Sequence, residues 1–211
     1  MSQICQLSLN VVAHSPRVLD LFEHDARIEY MQLDLTKPPH RERAFDGEQF
    51  EFVINLAAET KYGQNDSVYE SRCTLLSVEC GRKAIERGVR RFIEVSTALV
   101  YKSQSKRPVN ESGELAPWTK QSQAKLAAEE GLRQIPGLDG VILRPGFVYG
   151  PGDVNGIMPR VTCAAAYTVL REQMRLLWDA NMHINTVHVQ DVCRAIWHAT
   201  TSETVPSWSV W

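Results

Sequence analysis

The stretch that decides the fold runs from Arg91 to Glu129. It begins RFIEVSTALVY, residues 91–101, and ends PWTKQSQAKLAAE, residues 117–129. The first half is an apolar run of strand length that ends in a Ser-Thr pair, which is typical of a buried β-strand. The second half carries Lys125 among small residues and has the pattern of a helix. The stretch therefore predicts a buried strand followed by a helix, with hydroxyl groups at the carboxyl end of the strand.

The same order of strand and helix repeats along the chain. Apolar runs predict strands at Ile4–Val12, Ile28–Leu33, Phe50–Ala58, Arg91–Ser96, Val141–Pro145 and Asn185–Val189. Helical patterns follow at Ser15–Phe22, Val68–Arg87, around Lys125, at Ala164–Leu177 and at Asp191–Thr200. Such alternation indicates parallel strands with helices on both faces, so we predict a doubly wound α/β fold in a single domain, residues 1–211.

Three segments between these elements carry more specific predictions. Phe50–Ala58 is apolar almost throughout, which predicts a strand buried on both faces. Glu42–Gln49 is a polar connection with room for a short helix. Gly146–Asp153, GFVYGPGD, is rich in glycine and is predicted to be a loop.

Composition excludes several classes of function. The formal charge of −2 and the pI near 6.3 give no electrostatic basis for binding nucleic acid or an anionic membrane. No apolar run approaches the roughly 20 residues that a membrane span requires. The five cysteines form no CxxC pair, which favours reduced thiols over a disulfide framework or a metal site. With no signal peptide pattern at the N-terminus, we expect a cytoplasmic protein.

Distinctive residues follow the predicted strands. Asp34, Ala57–Ala58, Ser96–Thr97 and Arg144–Pro145 each stand where a strand ends. In open parallel sheets, ligands bind at the carboxyl ends of the strands. This coincidence predicts a small-molecule site at that edge of the sheet.

Several motifs in this order resemble the extended short-chain dehydrogenase/reductases, the NAD-dependent epimerase/dehydratase family. The motifs are Leu33–Leu35 (LDL), Val53–Ala58 (VINLAA), Val95–Tyr101 (VSTALVY), Leu143–Asp153 (LRPGFVYGPGD) and Val187–Ile196 (VHVQDVCRAI). The resemblance implies a Rossmann-like fold that binds NAD or NADP. It also implies oxidoreduction or epimerisation of a nucleotide-sugar or a sterol-like alcohol by hydride transfer, and it leaves a homodimer open.

The resemblance also assigns roles to single residues. Thr97 would lie beside the reacting carbon of the substrate, and Lys125 would bind the nicotinamide ribose. The other residues expected to contact the cofactor are Asp34, Leu35, Leu56, Ala57, Ala58, Pro145, Phe147 and Val148. A metal site is not expected.

The chain departs from the family pattern at chemically important positions. The general acid/base of the family is a tyrosine four residues before the lysine, and that position is Gln121, whose amide is no acid/base at neutral pH. Cys73 stands near the position of the family's helix asparagine. No glycine precedes Gly47, so the glycine-rich turn that holds the pyrophosphate is missing. These departures support an alternative function, a catalytically inactive binding or assembly protein.

Two placements of the first predicted strand remain open. By motif spacing, Ile4–Val12 is the second strand of a 3-2-1-4-5-6 sheet, and the first strand is absent. Alternatively, Ile4–Val12 occupies the place of the first strand and Asp34 binds the ribose. The first placement implies a chain that is truncated at both ends relative to the family, with the glycine-rich turn and part of the substrate region incomplete.

Overall fold

The computed structural model describes residues 9–13, 27–47, 49–102, 109–154, 156–175 and 183–211. The helix predicted at Ser15–Phe22 lies outside these ranges and therefore remains a prediction.

Within the described residues, seven strands form parallel pairs. They are β1 (Leu9–Ala13), β2 (Ile28–Gln32), β3 (Phe52–Asn55), β4 (Arg91–Val95), β5 (Gly140–Leu143), β6 (Phe147–Tyr149) and β7 (Thr186–His188). β1 pairs with β2, β3–β4–β5 form a three-stranded sheet, and β6 pairs with β7. The C-terminal residues run beside β5, where Val210 forms a parallel bridge with Ile142. The predicted parallel arrangement is confirmed.

The helices lie between the strands in sequence. They are α1 (Pro38–Ala44), α2 (Asp66–Tyr69), α3 (Leu76–Glu86), α4 (Lys120–Arg133), α5 (Met158–Leu170) and α6 (Val189–Thr201), and a π-helical segment, Glu70–Leu75, joins α2 to α3. Gly88 ends the α3 region with a positive φ of 70°, as its position predicted. Thr119 caps α4, because its side chain accepts from the Ser122 N–H and the Ser122 hydroxyl accepts from the Thr119 N–H.

The three-stranded sheet is covered on both faces, which confirms the doubly wound architecture. On one face Phe92 of β4 packs with Cys80 of α3 and Leu132 of α4. On the other face Ile93 of β4 packs with Ala199 of α6. Successive residues of one strand thus serve two separate cores, as the period of a β-strand requires.

The hydrogen-bonded ladder is interrupted between β1 and β3. Within these two segments no strand pairing joins them, although Val12 of β1 and Val53 of β3 pack against the same hydrophobic cluster. In the order 3-2-1-4-5-6 the first strand lies between the second and the fourth. The observed pairs therefore agree with the placement of β1 as the second strand. The alternative, in which β1 takes the first place, requires it to lie against β3.

The prediction that Phe50–Ala58 is buried on both faces is wrong. β3 covers only Phe52–Asn55, and Ile54 is 37% exposed while Leu56 is 64% exposed. Ile54 is the register partner of Ile93 and so lies on the face that α6 covers. β3 is the edge strand of its sheet, and Ile54 is left open because α6 packs over β4.

Other boundaries also need correction. The loop predicted at Gly146–Asp153 contains β6, because the backbone N–H of Phe147 donates to Asn185 and pairing with β7 follows. The helix predicted at Ala164–Leu177 is α5, which starts earlier beside Pro159 and ends before Arg171, a residue in the left-handed conformation. α1 likewise begins before the predicted Glu42–Gln49 connection.

Cys80 supplies a pH-dependent prediction. Burial raises the pKa of its thiol from 9.0 to about 12. The folded state therefore keeps the proton to a higher pH than the unfolded state, so this contribution to stability is complete below pH 9 and falls as the pH rises toward 12. We expect the free energy of unfolding to fall by up to about 1.4 kcal/mol per pH unit in this window from this group alone.

Urea unfolding at about pH 8 and about pH 10.5 measures this effect. The matched variant is Cys80→Ala, which retains the other alkaline titrations. A fall in stability equally steep in both proteins would contradict the prediction.

Candidate functional site

The carboxyl ends of β4 and β5 meet at one edge of the sheet. The backbone N–H of Ser96 donates to the carbonyl of Leu143 at 2.7 Å, and that of Ala98 donates to the carbonyl of Pro145 at 2.9 Å. Thr97 is half-buried between them, and its hydroxyl oxygen accepts from the Leu99 N–H at 3.2 Å. The structure therefore brings Thr97 and Pro145 together, as their positions after the strands predicted.

Lys125 of α4 is directed at the same edge. Its Nζ donates to the carbonyl of Val95 at 2.8 Å and to Oε1 of Glu94 at 2.9 Å. The Lys125 side chain is 6% exposed and that of Glu94 is 1% exposed, so this is a buried ion pair. The ammonium group is thus held one residue before Ser96, at the end of β4.

Glu94 was not identified as a candidate from the sequence. Its carboxylate also accepts from Asn55 Nδ2 at 2.6 Å and from the Ser77 hydroxyl at 3.2 Å, and Asn55 Nδ2 lies 2.9 Å from that hydroxyl. The cluster of Glu94, Lys125, Asn55 and Ser77 joins β3, β4, α3 and α4. The available signal was a glutamate inside an apolar strand, RFIEV, since a buried charge is costly unless it is paired.

A second buried ion pair, between Arg144 and Glu129, lies beside the first and joins the end of β5 to α4. Arg144 donates to both carboxylate oxygens of Glu129, with Nη2 at 2.5 Å from Oε2, and its Nη1 donates to Tyr101 at 2.8 Å. The Ser96 hydroxyl donates to the same carboxylate. Burial lowers the pKa of Arg144, but the hydrogen bonds to Glu129 and Tyr101 outweigh burial and raise it. Ser96 and Arg144 therefore tie the ends of β4 and β5 to α4 through Glu129.

Gln121 occupies the position of the family's tyrosine. Its Nε2 donates to the backbone carbonyl of Glu59 at 2.8 Å, which ties the start of α4 to the loop after β3. Glu59 is buried and pairs with Arg72 at 2.7 Å. The Lys61 backbone N–H chiefly lowers the pKa of Glu59, burial opposes this shift, and Arg72 adds to it. The amide of Gln121 thus forms a hydrogen bond between α4 and the loop after β3.

The π-helical segment packs against α4. Cys73 is fully buried, and its thiol lies 4.0 Å from the carbonyl of Glu59. The Thr74 hydroxyl donates to the carbonyl of Ala124 at 2.8 Å, next to Lys125. Cys73 and Cys80 are 0% and 3% exposed, so both pack in the interior. π-Helical insertions are frequent at functional sites, and this one contacts α4 next to Lys125.

Two of the residues predicted to contact the cofactor, Asp34 and Leu35, lie after β2. Asp34 accepts from the N–H and the hydroxyl of Thr36, and Leu35 accepts from Arg41 at 2.9 Å. A cavity of about 240 Å³ opens next to this turn. Its lining residues are Thr36, Arg41, Ser71, Leu75, Leu76 and Glu79.

The other residues predicted to contact the cofactor have small side chains or are partly exposed to solvent. Ala57 and Ala58 are half-buried, and the Ala57 N–H donates to Asn55 Oδ1 at 3.2 Å. Phe147 and Val148 of β6 are 39% and 38% exposed. Their place beside the cofactor remains a prediction.

His188 and Asp191 both lie at the start of α6. His188 caps the helix by accepting from the Gln190 N–H at 3.3 Å, and its ring lies edge-on to that of Tyr149. Asp191 was predicted to start the helix, but it lies in the first turn and pairs with Arg194. The cap falls on His188 because the helix begins two residues earlier than predicted.

The described part of the chain contains neither a metal-binding cluster nor a membrane-spanning helix. No cluster of three or more His, Cys, Asp or Glu side chains there could hold a metal ion. None of the helices described has both the length and the apolar character needed to cross a membrane.

The model of the NAD-dependent epimerase/dehydratase family matches residues 8–208. The chain belongs to this family. A search of curated protein sequences found no match.

Solved structures confirm the fold of this epimerase/dehydratase-family protein. WbmG of Bordetella bronchiseptica in complex with NAD is 21% identical, with a TM-score of 0.80, over 96% of this chain and 63% of its own length. DesIV, a dTDP-glucose 4,6-dehydratase of Streptomyces venezuelae with NAD bound, is 20% identical, with a TM-score of 0.83, over 99% of this chain and 66% of its own.

A third solved structure is similar to the same degree. UDP-glucuronic acid 4-epimerase of Bacillus cereus in complex with NAD is 17% identical, with a TM-score of 0.82, over 96% of this chain and 68% of its own. At these identities the likeness establishes the Rossmann-like fold alone. The family protein described here spans about two thirds of the length of these enzymes.

Proposed function

We propose that this protein binds NAD along the carboxyl edge of its sheet and acts on a sugar nucleotide by hydride transfer, with an acid/base other than tyrosine. One observation carries the proposal: Lys125 is anchored on the carbonyl of Val95, beside Thr97, at the carboxyl end of β4. Family membership and the NAD found in WbmG, DesIV and the Bacillus cereus epimerase support it.

The residues at both ends of the edge fit a dinucleotide. Near β2, the turn Asp34–Thr36 borders a cavity of about 240 Å³, which suits an adenosine half. Near β3, the small residues Ala57 and Ala58 let a ligand approach the backbone closely. At the end of β4, Lys125 is a donor for a ribose hydroxyl. No glycine precedes Gly47, so the edge does not include a glycine-rich turn for the pyrophosphate.

The chemistry divides between the cofactor and the chain. NAD, when bound, supplies the hydride acceptor and donor. Thr97 supplies a hydroxyl group that can hold the reacting hydroxyl of the substrate, and Lys125 orients the ribose. Gln121 can only donate or accept a hydrogen bond, because its amide does not ionise at neutral pH. The proton must therefore move to a group of the substrate, to water or to a side chain outside this helix.

The solved relatives support one substrate class for a first test. DesIV acts on dTDP-glucose, and the Bacillus cereus enzyme acts on UDP-glucuronic acid. A nucleotide-sugar is therefore the first substrate class to test, and a sterol-like alcohol is the second. A cytoplasmic location and a homodimer belong to the same proposal, since these were expected from the sequence and from the family.

A second candidate function is binding or assembly without turnover. It is favoured by the hydrogen bond from Gln121 to Glu59, which uses the position of the catalytic tyrosine to hold a loop. In this case the chain keeps the family fold and the Lys125 anchor but performs no proton transfer.

Nicotinamide fluorescence tests the proposed cofactor directly. Titration of the purified chain with NADH and NADPH is expected to give saturable binding in the micromolar range, with emission enhanced because the nicotinamide leaves water. Absence of binding at millimolar cofactor would overturn both the NAD site and the enzymatic function. NADPH serves as the comparison, since the preference between the two cofactors is open.

Turnover separates the two candidates. The natural chain with UDP-glucose or dTDP-glucose and NAD is expected to give slow product formation if an alternative acid/base operates. The variant Gln121→Tyr restores the family's acid/base four residues before Lys125. Activity gained only in this variant favours the non-catalytic function for the natural chain, and activity in both favours the enzyme.

A further inference from the structure

Glu94 has an environment that the proposed function does not explain. It lies in the middle of β4 between Ile93 and Val95, and its side chain is 1% exposed. Three donors converge on its carboxylate: the Lys125 ammonium, the Asn55 amide and the Ser77 hydroxyl. This hydrogen bonding holds the carboxylate in one orientation.

The same contacts determine how Lys125 is presented. An ammonium group has three N–H donors. Glu94 Oε1 and the carbonyl of Val95 take two of them, at 2.9 and 2.8 Å. These two acceptors fix the lysine head, so the third N–H has a defined direction rather than a rotating one.

The pair also has no net charge. Lys125 without Glu94 would place a full positive charge at the end of β4, inside a region where both side chains are at most 6% exposed. Charges interact strongly where water is excluded. The oxidised nicotinamide ring carries a positive charge and the reduced ring carries none, so an uncompensated lysine would select against the oxidised cofactor.

We propose that Glu94 is a positioning residue that fixes the Lys125 ammonium and cancels its charge, so that the site binds oxidised and reduced nicotinamide with similar affinity. The proposal rests on the proposed function, in which Lys125 lies beside the nicotinamide ribose. An enzyme that passes a hydride to its cofactor and takes it back within one turnover needs both forms of the cofactor to stay bound. Cancelling the charge of Lys125 would serve this need.

The ratio of two dissociation constants tests the proposal. In Glu94→Gln the amide keeps the shape of the side chain but removes its charge, and the Kd of NAD⁺ divided by the Kd of NADH is expected to rise by about threefold or more. The Kd of ADP, which lacks the nicotinamide, is expected to stay unchanged. If Glu94 had only a structural role, the variant would bind NAD⁺, NADH and ADP more weakly to a similar extent.

Further variants test the direction in which the ratio of the two dissociation constants changes. Lys125→Gln leaves the carboxylate uncompensated and is expected to lower the same ratio, whatever its effect on overall affinity, so the proposal stays testable if Glu94→Gln does not fold. Asp139→Asn is the matched control, because Asp139 pairs with Arg91 at the opposite end of β4.

The outcomes separate the inference from the function on which it rests. If the natural chain binds neither NADH nor NAD⁺, the proposed function fails. If the natural chain binds both and the ratio does not change in the folded variants, or changes equally in Asp139→Asn, the role of Glu94 is overturned while the NAD site stands.

Discussion

Replacing Arg144 with methionine is expected to lower the free energy of unfolding by about 3–5 kcal/mol, the range for breaking a buried ion pair from one side. The Arg144 and Glu129 side chains are 6% and 2% exposed. The variant leaves the Glu129 carboxylate buried, with the Ser96 hydroxyl as its remaining donor in this cluster, and it also removes the contact with Tyr101. Chemical denaturation followed by circular dichroism measures the loss.

The matched control is Lys102→Met. Lys102 and Glu114 form an exposed ion pair, with side chains 53% and 61% exposed, so its loss is expected to cost less than about 1 kcal/mol. The double variant Glu129→Gln with Arg144→Met removes both charges and is expected to recover part of the stability. Equal losses in Arg144→Met and Lys102→Met would show that burial does not govern the strength of this pair.

Replacing Lys125 with methionine is expected to have an effect of similar size for the same reason. Glu94 would remain buried with only the Asn55 and Ser77 donors, and a loss of about 3–5 kcal/mol follows from the unpaired charge. The variant is also expected to bind NADH more weakly, because it lacks the hydrogen-bond donor at the end of β4.

A double-mutant cycle separates the ion pair from other effects of the lysine. The stabilities of Lys125→Met, Glu94→Gln and the double variant give the coupling energy, for which we expect at least about 1 kcal/mol. Lys120→Met is the control, since Lys120 pairs with Asp66 on the surface and is 60% exposed. A coupling energy near zero would mean that Lys125 and Glu94 contribute independently and that the pair is not the unit of stability.

Strand positions were predictable because apolar runs are local properties of the chain. β2, β3, β4 and β7 lie within the predicted ranges, β5 begins one residue before its predicted range, and parallel pairing followed from the alternation with helices. Burial was less predictable. Phe50–Ala58 has the composition of a central strand, but Ile54 is exposed because the neighbour on its open side and a helix above it are not part of the described fold. Composition records what a segment can bury and does not record whether a partner covers it.

Helix ends were predictable where a capping residue lies next to the apolar pattern, as at Gly88. They were not predictable where the end depends on a backbone conformation, as at Arg171, whose positive φ ends α5. β6 was missed because a three-residue strand in a glycine-rich segment exists only through its pairing with β7.

The candidate site divides in the same way. Thr97, Lys125 and Pro145 were selected from their motifs, and the structure places them at one edge of the sheet. The partners that control them were not selected. Glu94 and Glu129 are separated from Lys125 and Arg144 by 31 and 15 positions in sequence, and only folding brings these charges together.

The sequence by itself determined the family, the parallel α/β architecture and the loss of tyrosine at position 121, because periodicity, motif order and residue identity are all properties of the linear chain. Only the tertiary structure decided what the replaced and retained residues do. Gln121 binds a loop carbonyl, and Lys125 is compensated by a buried carboxylate. Charge compensation and hydrogen bonding depend on distances between groups from different elements, and those distances arise only when the sheet and its covering helices pack together.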